Sequence, residues 1–188
     1  MNTLWIVLGV VFVGLYALYF SLILKRNKLK EALSGIDVQL KKRYDLIPNI
    51  LEMAAKFMKH ERALMEEITK LRTDAMSKDF AKDGAAKSKI ENLLDQKLSE
   101  LKIAVENYPD LKSNQTMVQA METFNDVEEH IAASRRFYNS AVNDLKNACE
   151  IFPSNIVAKI FGIKGDLLPF FEAEAEAKER INAKDFFK

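Results

Sequence analysis

"VQLKKRYDLIPNILEMAAKF", Val38 to Phe57, reads as an amphipathic helix with a proline, Pro48, in its middle. Leu40, Tyr44, Ile47, Ile50 or Leu51, Ala54 and Phe57 or Met58 recur at the spacing of one helical face. In a helix interior a proline loses one backbone hydrogen bond and clashes with the carbonyl four residues back, here that of Tyr44, at roughly 3 kcal/mol or more. The apolar seam nevertheless runs straight through Pro48, from Leu33 and Ile36 on one side to Leu64, Ile68, Leu71 and Ala75 on the other. This predicts one long helix kinked at Pro48, or two coaxial pieces.

Two further stretches carry the same period. The second holds Ile90, Leu94, Leu98, Leu101, Val105 and Tyr108, and stops at "YPDLKSN", where Pro109 marks a turn and Asn114 is a good N-cap. The third holds Met117, Met121, Phe124, Ile131, Tyr138, Val142, Leu145, Cys149 and Phe152. Between the first two lies "SKDFAKDGAAKS", Ser77 to Ser88, polar with one glycine and read as a mobile connection. Pro153 ends the third helix, after which "SNIVAKIFG" predicts a short helix capped by Ser154 or Asn155 and closed by Gly162. A last charged helix is expected over "EAEAEAKERINAK". Six Gly and four Pro in 188 residues suit an all-α protein. Short connections between helices predict an antiparallel bundle of three long helices with short C-terminal helices.

Ahead of the bundle, "LWIVLGVVFVGLYALYFSLIL" from Leu4 to Leu24 carries no charge in 21 residues. As a helix it spans about 31 Å, the thickness of a bilayer core of roughly 30 Å. A cleaved signal peptide would need a basic start, a shorter apolar core and an A-x-A-like exit, whereas "MNT" is uncharged and the run ends directly in "KRNKLK". The reading is an uncleaved transmembrane helix, with Trp5 and Tyr19 near its ends as interface anchors. The chain then divides into a flank at 1–3, the span at 4–24, a helical bundle at 25–152 and an apolar C-terminal segment at 153–188.

Charge is nearly balanced, so bulk charge points to neither nucleic acid nor an acidic substrate as partner. Its distribution is uneven: seven basic residues stand against two acidic ones between Lys25 and Arg43. Lys25, Arg26, Lys28 and Lys30 are placed to contact the membrane surface, where each cation near anionic lipid contributes about 1 kcal/mol. The positive flank stays in the cytoplasm, which places the bulk of the chain there.

Chemical motifs fare poorly. His60-Glu61 opens like H-E-x-x-H, but Leu64 stands where the second histidine belongs. His130 would need an acid at Val127 for the Glu-x-x-His spacing of di-iron bundles. Glu66, Glu67, Glu128 and Glu129 read as solvated helix surface, and in "SRRFYN" Tyr138 reads as packing with Arg135 or Arg136 solvated. The P-loop, G-x-G-x-x-G and G-x-S-x-G patterns do not occur. The expectation is no cofactor, no metal and no enzymatic activity. Cys149 reads as a reduced helical residue.

"VQLKKRYDLIPNI", "ENYPDLKSN", "IAASRRFYN" and "FPSNIVAKIFG", in this order and spacing, resemble the LemA family of bacterial membrane proteins, from about Leu29 to Glu176. The resemblance departs at "INAKDFF", where the family pattern has a proline. It implies one N-terminal transmembrane helix followed by a helical bundle, located in the bacterial inner membrane, and supplies no catalytic residue. Some relatives are associated with membrane-compartment formation and others with membrane metallopeptidases. Together these readings lead to a membrane-anchored, non-enzymatic scaffold that self-associates or recruits partners, or else an adaptor or regulator of a membrane peptidase or envelope stress system.

The C-terminal segment crowds Ile156, Val157, Ile160, Phe161, Ile163, Leu167, Leu168, Phe170 and Phe171 together. Such a surface needs a cover, either the chain's own bundle, a second protomer or lipid. Sparse basic residues, Lys159 and Lys164, count against lipid.

Overall fold

A computed structural model of the chain describes residues 2–165 and Phe171. The described residues form six α-helices and no strand: α1 (Asn2–Phe57), α2 (Arg62–Met76), α3 (Phe80–Val105), α4 (Pro109–Lys112), α5 (Gln115–Glu150) and α6 (Ser154–Ile160). Leu167, Leu168, Phe170, the expected helix over 172–184 and the "INAKDFF" departure lie outside the described residues. The three long helices expected are α1, α3 and α5, with α2 as a shorter fourth.

The 56 residues of α1 make a rod of about 84 Å without a break between the apolar segment and the bundle. Its buried apolar positions in the main core, Leu29, Ala32, Ile36, Leu40, Tyr44, Ile47, Ile50 and Ala54, keep helical spacing across Pro48, which is exposed. The helix does not end at the proline. The Tyr44 carbonyl that Pro48 cannot serve accepts instead from Arg72 Nε of α2, at 2.6 Å. A guanidinium donor makes this a charge-assisted bond, stronger than the amide bond it replaces.

The break falls ten residues further on, where Met58–Glu61 reverse the chain and α2 folds back beside α1. The apolar seam from Leu33 to Ala75 is therefore two antiparallel helices, not one rod or two coaxial pieces. No proline or glycine marks this turn, and Glu61 at the N-cap offers no side-chain hydrogen bond. Its driving force is burial: Met58 at the end of α1 and Met65 at the start of α2 both enter the core.

The Ser77–Ser88 stretch is likewise not a mobile linker. Only residues 77–79 separate α2 from α3, and Phe80 is 1% exposed. The sole irregularity inside α3 is at Asp83, whose backbone leaves helical geometry. Asn114 caps α5 as expected, accepting from the Thr116 and Met117 amides at 3.0 and 3.2 Å.

Within the bundle α1 lies closely against α5, and α2 against α3, the two pairs facing each other across one core. Lys28 meets Asp144 and Arg43 meets Glu128, so α5 runs antiparallel to α1. Beyond α5, Pro153 occupies the N-cap of α6, and Ser154 uses its hydroxyl on the Ile151 carbonyl rather than as a cap. Gly162, at φ +65, ends α6 in the left-handed conformation that suits glycine. Gly165 then passes flush against α5, where a Cβ would meet Lys146 Cα at 2.9 Å. Val157 and Ala158 of α6 bury Leu22 of α1 in a small cluster separate from the main core.

The Arg72 bond supplies a direct test of why a helix interior accepts a proline. Arg72→Met leaves the Tyr44 carbonyl without its donor and is expected to lower stability by about 1–3 kcal/mol. In a Pro48→Ala background the new amide of residue 48 takes that carbonyl, so the same Arg72 change is expected to do less. A double-mutant cycle by thermal unfolding should give a coupling of about 0.5–3 kcal/mol. Additive losses would show that the two residues do not share this carbonyl.

Candidate functional site

Among the described residues the most concentrated polar chemistry lies inside the bundle. Arg43 of α1 is fully buried, and its guanidinium reaches three carboxylates on two other helices. Nη2 donates to Glu91 and Nη1 to Asp95, both on α3, and Nη1 also donates to Glu128 of α5 at 3.1 Å. The Tyr44 hydroxyl donates to the second oxygen of Glu91. Arg135 of α5 closes the ring from the far side, with Nη1 and Nη2 at 3.3 and 3.4 Å from Asp95. Lys87, also buried, extends the polar seam to Asp37 at 3.6 Å.

Burial of a cation opposes its charge, but Asp95, Glu91 and Glu128 outweigh that effect and hold Arg43 protonated above its ordinary value. The Tyr44 phenol is pushed up by burial and by the Glu91 carboxylate beside it, so its proton stays on. Burial also raises the Tyr138 hydroxyl, to about 12. Asp95, Glu91 and Glu128 each hold a guanidinium, so the cluster fastens helices together. Through it the neighbours Arg43 and Tyr44 join α1 to α3 and α5, and through the Tyr44 carbonyl to α2.

Beside Arg135 lies a second constellation. Phe80 stacks on Phe171 at 4.5 Å between centroids, and Tyr138 meets both rings edge-on at 5.7 and 5.4 Å. Asn139 clasps the Phe171 backbone from both sides, accepting from its amide at 3.0 Å and donating to its carbonyl at 2.9 Å. Arg135 sits over the Phe171 ring at 5.4 Å. The "SRRFYN" stretch thus pins Phe171 to α5.

Arg135 is accordingly not a solvated residue, whereas Arg136 is exposed. Glu128 is not merely helix surface, while Glu66 pairs with Arg62 and Glu67 with Lys97 near the surface. His60 and His130 are both exposed. Among the described residues no group of three or more His, Cys, Asp or Glu is gathered as for a metal ion.

The sequence signal for Arg135 is a gap in the third apolar seam, which has Val127 between Phe124 and Ile131 but only Ser134 and Arg135 at the corresponding positions between Ile131 and Tyr138. Arg135 in that gap and Glu128 next to Val127 border the buried face, where a charge has to be either exposed or paired.

Lys25, Arg26, Lys28 and Lys30 occupy α1 just past the apolar segment. Lys28 turns toward the bundle, with Asp144 at 3.3 Å and the Phe137 ring at 5.6 Å. Lys25 lines a shallow groove with Ser21, Leu22, Asp144 and Ser154. Pro48 stands about 27 Å further along the helix from Lys30.

A model of the LemA family matches residues 32–184 of this chain. The chain belongs to the LemA family. The match takes in the buried arginine cluster, the aromatic trio and α6 together. No curated protein matches the chain. In this LemA protein the apolar half of α1 precedes the matched region, and among the described residues one helix is long and apolar enough to cross a membrane, with a mean hydropathy of 2.5 in its most apolar window.

Proposed function

We propose that this LemA protein is a single-pass, membrane-anchored, non-enzymatic scaffold whose helical bundle self-associates or recruits partners at the inner face of the bacterial membrane. The observation that carries the reading is the condition of the apolar half of α1. Leu4 to Tyr16 stand clear of the bundle with their side chains outward, Trp5 at 69% and Phe12 at 71% exposure. A core helix of a soluble protein would bury such a surface, and lipid is the solvent that accepts it. The polar interior supports the non-enzymatic part, since its carboxylates are engaged by arginines inside the bundle.

Orientation is tested by fusing reporters after Lys188. A cytoplasm-active reporter is expected to work and an export-dependent one to fail; the opposite pattern would refute the cytoplasmic placement. Changing Lys25, Arg26 and Lys30 to Asn, with lysines added after Met1, should invert at least part of the population. Lys28 is left in place because it also holds Asp144. Scaffolding is tested by sizing the detergent-extracted full-length protein and identifying what accompanies it. A self-assembled species supports the scaffold, and a stoichiometric peptidase would instead make the chain an adaptor.

A further inference from the structure

The turn before α6 and α6 itself leave an apolar surface open beside the anchor. Ile151, Phe152, Ile160 and Phe161 are 61%, 74%, 71% and 58% exposed. They do not face bulk solvent at random. The Phe161 ring lies 4.4 Å from that of Tyr19, inside the uncharged run of α1, and Val157 and Ala158 bury Leu22. Between α6 and α1 runs a crevice of about 450 Å³, lined by apolar and aromatic side chains that include Phe12, Leu15, Tyr16, Tyr19, Ile160 and Phe161.

The depth of this element follows from helix geometry. Tyr19 is six residues before Lys25, the first charge, hence about 9 Å inside the uncharged run. Amphipathic helices that lie in a membrane interface bury their apolar face by roughly 5–10 Å. Lys159, exposed in the last turn of α6, and Lys164, exposed just beyond it, have stems long enough to carry their charges back to headgroup level.

The described residues after α6 lead elsewhere. Gly165 already lies against Lys146, and Phe171 is clasped by Asn139, about 18 Å along α5 from Ile151 on the side away from the span. The described tail therefore turns toward the bundle and not over α6.

We propose that α6 and its preceding turn form a second membrane contact, inserting Phe152, Ile160 and Phe161 beside the base of the span so that a phospholipid acyl chain fills the crevice against Phe12–Tyr19. This inference rests on the anchor reading. It makes the bundle a wedge seated in one leaflet rather than a body held off the surface on a stalk. Binding of this kind senses lipid packing and composition.

The test uses full-length protein in phosphatidylcholine–phosphatidylglycerol vesicles with and without acyl chains brominated along their length. Trp5 is the only tryptophan, so the native protein reports on the anchor alone. A Trp5→Phe, Phe161→Trp variant reports on α6. Both are expected to lose more than half their emission to brominated lipid, with residue 161 quenched most by bromines near the headgroup and shielded from aqueous iodide. Bromolipid quenching of Trp5 together with iodide quenching at position 161 would overturn the second contact and leave the anchor standing. Quenching at 161 by neither agent would also overturn it, assigning the surface to a protein cover. An unquenched Trp5 would remove the anchor, and the inference with it.

Discussion

Arg43→Leu is expected to destabilise the bundle by about 3–5 kcal/mol, because it leaves Glu91 buried and charged with no cation beside it. That is a large part of the roughly 5–15 kcal/mol by which folded domains are ordinarily stable. The loss should appear as a lower midpoint in thermal unfolding followed by circular dichroism. Arg43→Lys keeps the charge but not the planar fork that spans α3 and α5, so an intermediate loss is expected. Arg43→Leu combined with Glu91→Leu removes the buried charge together with its partner, and should recover part of the stability. If Arg43→Leu unfolds at the parent's midpoint, the cluster is not the fastener inferred from its geometry. Any loss of assembly should then track the loss of stability across the series, as expected for a cluster that positions helices.

The second large effect is expected at Phe80. This residue stood in a stretch read as a mobile connection, yet it is buried between Tyr138 and Phe171. Phe80→Ala should cost about 3–5 kcal/mol through the cavity it opens and the ring contacts it removes. Phe80→Leu fills more of that space and should cost less. Removing this ring also strips one face from Phe171, so hydrogen exchange at the Phe171 amide, held by Asn139, should rise in Phe80→Ala by more than global destabilisation explains. An alanine variant as stable as the parent would return residues 77–88 to the status of a linker.

These two sites also show where sequence reading stopped. Periodicity marks which face of a helix is apolar, and it placed Leu40, Ile47, Leu94, Leu98, Phe124 and Ile131 in the core correctly. Periodicity does not reveal direction, so the reversal at Met58–Glu61, which keeps the seam in phase without a proline or glycine, read as a continuation. One aromatic residue among charges, Phe80, forms no pattern by itself. Arg43, Glu91, Asp95, Glu128 and Arg135 are ordinary helix-surface types one at a time. Each is buried or half-buried only because its counter-charge arrives from a helix some forty to ninety residues away, as with Arg43 and Glu128.

What the chain determined without any partner in space is local and compositional: a 21-residue uncharged helix, its basic border, helical faces, the Asn114 cap and the Gly162 close. Hydropathy and capping act over one or two turns, and are therefore written in adjacent residues. Pairing was decided by tertiary structure alone. Only the return of α2 beside α1 gives the Tyr44 carbonyl its Arg72 donor and makes Pro48 tolerable. Likewise, only the packing of α6 on Leu22 sets its exposed apolar residues at the height of the span. A buried charge, an orphaned carbonyl and an open apolar face are each satisfied by distant groups, and the energy that selects them exists once the helices meet.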